Sequence, residues 1–227
     1  MTRLFGLETK SSIIEIPLDD VALEGQLCLP DGARAVVVFA QGRGSCRTNA
    51  VDTFLAAQLQ HAGYATLLAD LYTPAELQED IEDAHVRFNV RMLAHRLTGI
   101  TDYLVHHAST HHMVTAFLGG STGGAAALIV AANRPETVGA IVCRSARPDL
   151  AGNSLKYVHA PTLLLVGEND TLLLSLNERA ADQLPYTHKL ITIPNAGQNF
   201  QEAGVLEQFA VHALQWFSAY LTPNRAV

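Results

Sequence analysis

The sequence predicts an α/β fold in which a mostly parallel sheet of about eight strands is flanked by helices on both faces. Short apolar runs alternate with segments of helical periodicity nearly to the end of the chain. The inner runs are continuous and rich in β-branched residues, as in AVVVFA, which is typical of strands buried on both faces. Apolar residues make up 48% of the 227 residues and charged residues 16%, which is enough for a large core. No linker or repeat interrupts the alternation, so we expect one domain over residues 1–227.

The order of the elements follows from these patterns. Two early segments with alternating polarity, Ile13–Ile16 and Leu23–Leu29, predict a hairpin at the edge of the sheet. The later apolar runs predict buried strands at Ala35–Ala40, Ala65–Leu71, Val114–Leu118, Val138–Cys143, Pro161–Val166 and Lys189–Ile193. Helical periodicity predicts helices at Asn49–His61, Phe88–His107, Leu174–Leu184 and Leu206–Leu221, an exposed acidic helix at AELQEDIEDA, and a small-residue helix after GGSTGG.

Composition and net charge limit the classes of partner that we expect for this chain. The formal net charge of −7 does not favour a phosphate backbone or an anionic membrane surface, so we expect neither nucleic acid nor membrane as a partner. The three cysteines are scattered and form neither a disulfide framework nor a C-x-x-C pair. The first residues lack the apolar segment of a secretory signal, and no apolar stretch is long enough to span a membrane. We expect a cytoplasmic protein that acts on a small molecule without a cofactor or metal; a homodimer is left open.

Two glycine clusters follow predicted strands, and either could cradle a phosphate. The first, QGRGSCR (Gln41–Arg47), begins like a dinucleotide fingerprint but places Arg47 where the third glycine or alanine belongs. The second, GGSTGG (Gly119–Gly124), lacks the lysine and the spacing of a P-loop. Nucleotide binding is therefore a weak interpretation of both clusters.

The second cluster matches G-x-S-x-G, centred on Ser121, between an apolar strand and a small-residue helix. In that context the motif forms a strained turn that raises the serine hydroxyl above the sheet, and the glycines relieve backbone crowding. The backbone N–H of Thr122 would then face a developing oxyanion. An ordinary Gly/Ser turn is the alternative, and the two flanking elements favour the nucleophile.

An acidic residue follows the serine along the chain, in the order expected for a nucleophilic serine and its acidic partner. The run Pro161–Val166 leads into GEND, which places Asp170 just past the carboxyl end of a strand. Taken alone, Asp170 would be read as a turn or helix-cap residue. The serine motif favours a catalytic role instead.

At this point the chain resembles the small serine hydrolases of the dienelactone-hydrolase-like branch of the α/β-hydrolases. The resemblance runs through the whole chain, from AVVVFAQGRGS and FLGGSTGGAAAL to PTLLLVGENDT and IPNAGQNFQEAG. It implies an α/β-hydrolase fold and a triad at Ser121, Asp170 and residue 198. It also implies oxyanion donors from the backbone of Thr122 and of the loop at Gly42 and Arg43.

The chain departs from the family pattern at two positions. The family pattern after the last strand resembles I-P-x-A-x-H-x-F, and this chain reads IPNAGQNF, with Gln198 in place of the histidine. Gln41 likewise stands in the substrate-binding loop where relatives often carry histidine. An amide cannot accept the serine proton near pH 7, and losing a triad member typically lowers turnover by about 10⁴-fold or more.

The ten histidines provide no replacement that the sequence would place near Ser121. The cluster HHASTHH precedes the strand that leads to Ser121, so we expect it at the opposite edge of the sheet. His107 and His111 could share a metal if the helix continued, but no carboxylate or cysteine completes a set. We interpret the cluster as solvated side chains at a helix C-terminus. His159 and His188 also precede strands.

Two arginines and one short connection shape the predicted cleft. Arg144 and Arg147 follow a strand at the edge that holds Ser121 and could meet a carboxylate substrate; solvent exposure or pairing with Asp149 is the alternative for each. We interpret Cys143, at the end of the same strand, as core. Only Ser145–Ala160 separates that strand from the next, so we expect no large lid and an open cleft.

Two hypotheses follow. The first is a serine hydrolase of carboxylic esters or lactones with small acyl groups. In it Ser121 is the nucleophile, Asp170 the orienting acid, and Gln198 occupies the base position. The second is a binding protein of hydrolase fold that has lost turnover, which Gln198 favours.

Overall fold

Nine strands form one sheet in the computed structural model, which describes residues 2–4, 7–19, 21–42, 47–83, 88–200 and 202–221. Their order across the sheet is β1-β2-β3-β5-β4-β6-β7-β8-β9. In chain order the strands are β1 (Thr2–Leu4), β2 (Leu7–Pro17), β3 (Ala22–Pro30), β4 (Ala35–Gln41), β5 (Ala65–Ala69), β6 (Val114–Gly120), β7 (Val138–Arg144), β8 (Thr162–Gly167) and β9 (His188–Ile193).

The sheet has an antiparallel end and a parallel body. Strands β1, β2 and β3 pair antiparallel, and β3 pairs antiparallel with β5. From β5 to β9 every pairing is parallel. The predicted edge hairpin and the mostly parallel sheet are confirmed. The additional strand, β1, was not predicted because three residues are too few to show alternation.

Helices cover both faces of the sheet, as predicted. They are α1 (Ala50–His61), α2 (Pro74–Asp83), α3 (Val90–His106), α4 (Ser121–Asn133), α5 (Thr171–Ala181) and α6 (Val205–Tyr220). Helices α3, α4 and α5 contribute to one apolar core, and α1 and α6 contribute to the other. The middle strand β4 is buried along its whole length, which explains its continuous apolar run. No helix among the described residues is long and apolar enough to cross a membrane.

The chain order creates a crevice at one edge of the sheet. From β4 the chain passes to β5 on one side and then returns to β6 on the other side of β4. Such a reversal leaves an opening at the carboxyl ends of the two strands, which is where ligands bind in open α/β sheets. The residues at these ends are Gln41 and Gly120, which are register partners. Gly42, the first glycine of the first cluster, therefore meets the second cluster at the crevice.

Several element boundaries differ from the sequence prediction. Helix α5 begins at Thr171 rather than Leu174, because Asp170 caps it. The connection between β7 and β8 forms a 3-10 helical segment, Pro148–Tyr157, and no separate lid, as predicted. Helix α3 ends at His106, and His107 is extended. His107 and His111 therefore do not share a continuous helix, and the other histidines of that cluster are solvent-exposed at the opposite edge of the sheet from Ser121.

Candidate active site

Ser121 occupies a strained turn between β6 and α4. It has a φ of 51°, in the left-handed region that is uncommon for residues other than glycine. Its neighbours are tightly packed: a Cβ on Gly123 would lie 2.2 Å from the carbonyl oxygen of Ala40, and one on Gly119 would lie 2.6 Å from the Cα of Gly124. Ser121 itself is exposed. The glycines of the motif therefore permit the close packing that holds the serine out toward the cleft.

The backbone of Gly42 lies directly against the start of α4. A Cβ on Gly42 would lie 2.7 Å from the backbone nitrogen of Thr122. The hydroxyls of Tyr72 and Thr122 both donate to the carbonyl oxygen of Gly42, over 2.8 and 3.3 Å. Burial raises the pKa of Tyr72, so its hydroxyl remains a hydrogen-bond donor. The structure thus brings together Gly42 and Thr122; Arg43, the third predicted backbone contributor, lies outside the described residues.

Gln198 lies on a loop that is anchored by its neighbours. Phe200 is 1% exposed and packs against Phe209, with ring centroids 5.6 Å apart. The backbone nitrogen of Gly197 donates to Glu202 over 2.9 Å. Gln198 itself is exposed, and it lines the same cavity as Ser121, at the carboxyl edge of the sheet.

Asp170 lies on the neighbouring loop after β8. The backbone nitrogen of Asn169 donates to the carbonyl of Ala196 over 2.9 Å, so the loops that carry Asp170 and Gln198 are joined. One carboxylate oxygen of Asp170, Oδ1, accepts from the backbone nitrogen of Leu173 over 3.1 Å and caps α5. Asp170 is not among the described residues that line the cavity of Ser121. The cap that the sequence left as an alternative is present, and a catalytic role for the other oxygen stays a prediction.

A buried polar network lies beside the serine turn. The Gln41 amide nitrogen donates to Asp52 Oδ1 over 2.8 Å, and the Arg144 guanidinium donates to the same oxygen over 3.2 Å and to the Gln41 amide oxygen over 3.4 Å. Asp52 is 1% exposed. Burial raises the pKa of Asp52 to about 6, and the positive charge of Arg144 opposes the rise. The side chain of Gln41 is therefore held by Asp52 and Arg144 within the wall of the cleft.

The two arginines have different partners. Arg147 forms two hydrogen bonds to Asp149, over 2.8 and 2.7 Å, so the pairing left open by the sequence is present. Arg144 pairs instead with Asp52, which the sequence prediction missed. The available signal was a single carboxylate on the apolar face of α1, where Leu55, Ala56 and Leu59 are buried. Cys143 is fully buried, as predicted.

A second strained serine lines the cleft. Ser145 directly follows Arg144, the register partner of Gly120, so Ser145 and Ser121 occupy equivalent positions after neighbouring strands. Its φ is 41°. It is 5% exposed, and its hydroxyl has no hydrogen-bond partner among the described residues. Serine gives no sequence signal for a left-handed backbone, so only the structure identifies this residue.

These residues surround a cavity of about 320 Å³. Ser121, Ser145 and Arg144 line one part of it. Four residues with amide side chains line the rest: Gln41, Asn49, Gln198 and Asn199. Among the described lining residues, Arg144 is the only ionisable one and Val51 the only one with an aliphatic hydrocarbon side chain. No group of three or more His, Cys, Asp or Glu among the described residues could hold a metal ion.

Arg47 anchors the end of the first glycine cluster. Its guanidinium pairs with Asp70 and with Glu24, each over 2.7 Å. The bond to Asp70 raises the pKa of Arg47. The side chain that breaks the dinucleotide fingerprint therefore ties the loop to β3 and to the end of β5.

Comparison with known proteins agrees with this fold. The model of the dienelactone hydrolase family matches residues 23–204. A crystal structure of a dienelactone hydrolase from Anabaena variabilis has 44% sequence identity and a TM-score of 0.91, and the match covers 94% of this chain and 99% of that one. Est1E from Butyrivibrio proteoclasticus has a TM-score of 0.75 at 15% identity, over 91% of this chain and 98% of that one, which is a likeness of fold alone.

Two Mycobacterium tuberculosis proteins match as well, each named "Putative phosphoribosyl transferase". They are 41% identical to this chain over 208 residues. The match covers 92% of this chain and 46% of theirs, so the chain spans about half the length of these curated relatives.

Proposed function

We propose that the chain, which belongs to the dienelactone hydrolase family, is a serine hydrolase of carboxylic esters or lactones with small acyl groups. The observation that carries the proposal is the placement of Ser121. It is exposed at a turn with a φ of 51°, at the start of α4, in a cavity that Gly42 and Gln198 also line. The 44%-identical Anabaena variabilis protein, which is named a dienelactone hydrolase, supports the ester or lactone class.

In this mechanism the Ser121 hydroxyl attacks the ester carbonyl and forms an acyl-enzyme. The backbone nitrogen of Thr122, at the positive end of α4, stabilises the tetrahedral oxyanion. The backbone after Gly42, at Arg43, is the second proposed donor. Gln41 holds the wall of the cleft through Asp52 and Arg144. The tetrahedral intermediate collapses with cleavage of the ester C–O bond, so the alcohol part leaves with a proton and the acyl part stays on Ser121. Water then attacks the acyl-enzyme and releases the acid with the free serine.

The proton transfers limit this reaction. Each half-reaction needs a group that takes a proton from the nucleophile and returns it to the leaving group. Gln198 stands at that position and is not basic near pH 7, and Asp170 has no imidazole to orient. We therefore expect turnover about 10⁴-fold or more below that of a complete triad, with the remaining rate sustained by the oxyanion site and by binding.

A binding protein of hydrolase fold is the second candidate. The observation that favours it is the lining of the cavity, in which the described residues include no general base. The exposed amide of Gln198 would then contact a bound ligand, and Ser121 would be one more hydroxyl in the wall. The name of the M. tuberculosis relatives refers to proteins about twice as long, so a phosphoribosyl transfer is not proposed for this chain.

Labelling with a fluorophosphonate probe separates the two candidates. The parent, Ser121→Ala and, as a matched control, Ser109→Ala at an exposed site on the opposite edge would be incubated with the probe and examined by intact-mass spectrometry. Labelling of the parent and of Ser109→Ala, but not of Ser121→Ala, supports the hydrolase. No labelling of the parent at saturating probe would overturn the hydrolase and leave the binding protein.

A further inference from the structure

The three residues that directly follow β7, residues 145–147, form a segment that its neighbours hold in place. The backbone nitrogen of Ser145 donates to the carbonyl of Leu165 in β8 over 2.9 Å. Ala146 is fully buried and packs against the start of α4, where a Cβ on Gly124 would lie 2.5 Å from its methyl group. These contacts fix the segment against both β8 and α4.

Arg147, the last residue of this segment, binds the nucleophile turn through its backbone. Its nitrogen donates to the carbonyl oxygen of Ser121 over 3.0 Å. That carbonyl and the N–H of Thr122 belong to one peptide group, and in a planar trans peptide they point in opposite directions. Thr122 is the second residue of α4, so its N–H has no partner within the helix. The bond from Arg147 therefore fixes the direction in which the Thr122 N–H points.

Asn177 in α5 binds the same segment with its side chain. It is fully buried, and its amide nitrogen donates to the carbonyl oxygen of Ala146 over 3.1 Å and to that of Leu173 over 2.8 Å. Carbonyl oxygens only accept hydrogen bonds, so the nitrogen of the amide, and not its oxygen, must face both. Leu173 lies one turn earlier in the same helix. The bond to Ala146 is therefore the one that joins α5 to the segment.

These hydrogen bonds form a continuous chain through two peptide groups. The carbonyl of Ala146 and the N–H of Arg147 belong to the first group. The carbonyl of Ser121 and the N–H of Thr122 belong to the second. The chain therefore begins at the amide of Asn177 and ends at the N–H of Thr122. Each bond in such a chain polarises the next, which strengthens the last donor.

On the basis of the proposed hydrolase, we infer that Asn177 is a positioning residue for oxyanion stabilisation: through the two peptide groups its amide orients and polarises the N–H of Thr122. Asn177 is not among the described residues that line the cavity, so it acts on the oxyanion only through this chain. Its helix, α5, is the one that Asp170 caps. The chain thus joins the helix after the proposed acid to the turn of the nucleophile.

The oxygen and sulfur forms of one probe measure this role. A fluorophosphonate and its thiophosphonate counterpart both label a nucleophilic serine with loss of fluoride, but sulfur is a weak hydrogen-bond acceptor. The ratio of the two labelling rates, oxygen over sulfur, therefore reports the hydrogen bonds to the phosphoryl oxygen. Loss of a whole oxyanion donor costs about 10²–10³-fold, and Asn177→Ala removes only the support of one, so we expect the ratio to fall about tenfold. A general loss of structure would slow both probes equally.

Thr110→Ala is the matched control. The hydroxyl of Thr110 is buried and donates to the carbonyl of Leu104 over 2.7 Å, at the opposite edge of the sheet. Its loss removes a similar bond that is not part of the chain, so the ratio should stay within about twofold of that of the parent. Asn177→Leu fills the space without an amide and takes the place of Asn177→Ala should the smaller side chain prevent folding. A ratio within about threefold of the parental one in the folded Asn177 variant would overturn the inference.

Hydrogen exchange tests the chain without any labelling. In the parent, the backbone amide of Arg147 should exchange more slowly than a solvent-exposed amide by a factor on the order of 100, because it is bonded to Ser121. This exchange should accelerate about tenfold or more in the Asn177 variant. An unprotected Arg147 amide in the parent, or unchanged exchange in the variant, would overturn the inference.

Failure of the hydrolase and failure of this inference are distinguishable. An unlabelled parent would overturn the hydrolase and, with it, the role of Asn177 in oxyanion stabilisation, even where the Arg147 amide is protected. A labelled parent whose ratio does not change in the Asn177 variant would overturn the inference alone and leave the hydrolase.

Discussion

Gln198→His should supply the base that the proposed hydrolase lacks. The loop that carries residue 198 is anchored by buried Phe200 and is joined to the loop of Asp170 by the hydrogen bond between Asn169 and Ala196, over 2.9 Å. Asp170 uses Oδ1 to cap α5 over 3.1 Å, which leaves Oδ2 to orient an imidazole. A serine hydroxyl is a weak nucleophile until a neighbour takes its proton.

The expected gain in kcat/KM equals the contribution of the missing general base. General base catalysis contributes about 10²–10⁴-fold, and the strained serine and the start of α4 need no rebuilding, so we expect a gain near 10³-fold in kcat/KM. That factor corresponds to about 4 kcal/mol of transition-state stabilisation. Hydrolysis of 4-nitrophenyl acetate measures it. The rate should rise with pH through about 6 to 7 in the histidine variant, because the neutral imidazole is the base, and should lack this rise in the parent.

Two controls make this experiment decisive. The gain should vanish in Gln198→His combined with Ser121→Ala, because a base without its nucleophile loses most of its effect. Asn199→His places an imidazole one residue further along the same loop and cavity wall, and it should give no gain. A folded Gln198→His protein without a gain, or an equal gain in Asn199→His, would refute the assignment of residue 198 as the base position.

Three further predictions concern the frame of the site. The pKa of Asp52 is raised from 3.8 to about 6, so this group makes the parent less stable as the pH rises through that window. The free energy of unfolding of Asp52→Asn minus that of the parent should therefore increase by up to about 3 kcal/mol from pH 4 to pH 7, whatever its value at pH 4. Urea denaturation measures both free energies, and a difference that does not change with pH would contradict this prediction. Tyr72→Phe removes the 2.8 Å hydrogen bond to the Gly42 carbonyl, and should lower stability by about 1–2 kcal/mol and slow serine labelling by roughly tenfold; unchanged labelling would show that this bond does not position the loop. Gly123→Ala would place a methyl group 2.2 Å from the Ala40 carbonyl oxygen, and thermal denaturation should show a loss of about 3 kcal/mol, whereas a loss under about 1 kcal/mol would mean that the turn relaxes freely.

The fold could be predicted because its signals are local. Each inner strand is a continuous apolar run, and β4 shows why: all seven of its residues are buried. The serine turn could also be predicted from the sequence, since Ser121 and its glycines lie within one short segment. Element ends were less well predicted; α5 begins three residues before the expected Leu174, because a cap depends on the side chain of Asp170 rather than on apolar spacing.

The hydrogen-bonded network of Gln41, Asp52 and Arg144 could not be predicted, because its residues come from three segments that are far apart in the sequence. Gln41 and Asp52 are 11 residues apart, and Asp52 and Arg144 are 92 residues apart. No local pattern connects them. Only the sheet order, in which β6 alone separates β4 from β7, brings Arg144 within reach of Gln41 and of Asp52 in α1. Ser145 was missed for another reason. Serine is not a residue type that signals a left-handed backbone, so the sequence around it looks like an ordinary strand end.

The loop around Gln198 bears on the choice between hydrolase and binding protein. Asn195 and Phe200 both have left-handed backbones, with φ of 59° and 54°, and a Cβ on Gly167 would lie 2.6 Å from the carbonyl oxygen of Gly197. Such strain persists only where the surrounding structure holds it, so the packing around this loop fixes its backbone conformation. We therefore expect a substitution at residue 198 to change the chemistry of that position without a change in the backbone of the loop. Because geometry is common to both candidates, the difference between them lies in one functional group, and a single substitution at residue 198 can decide it.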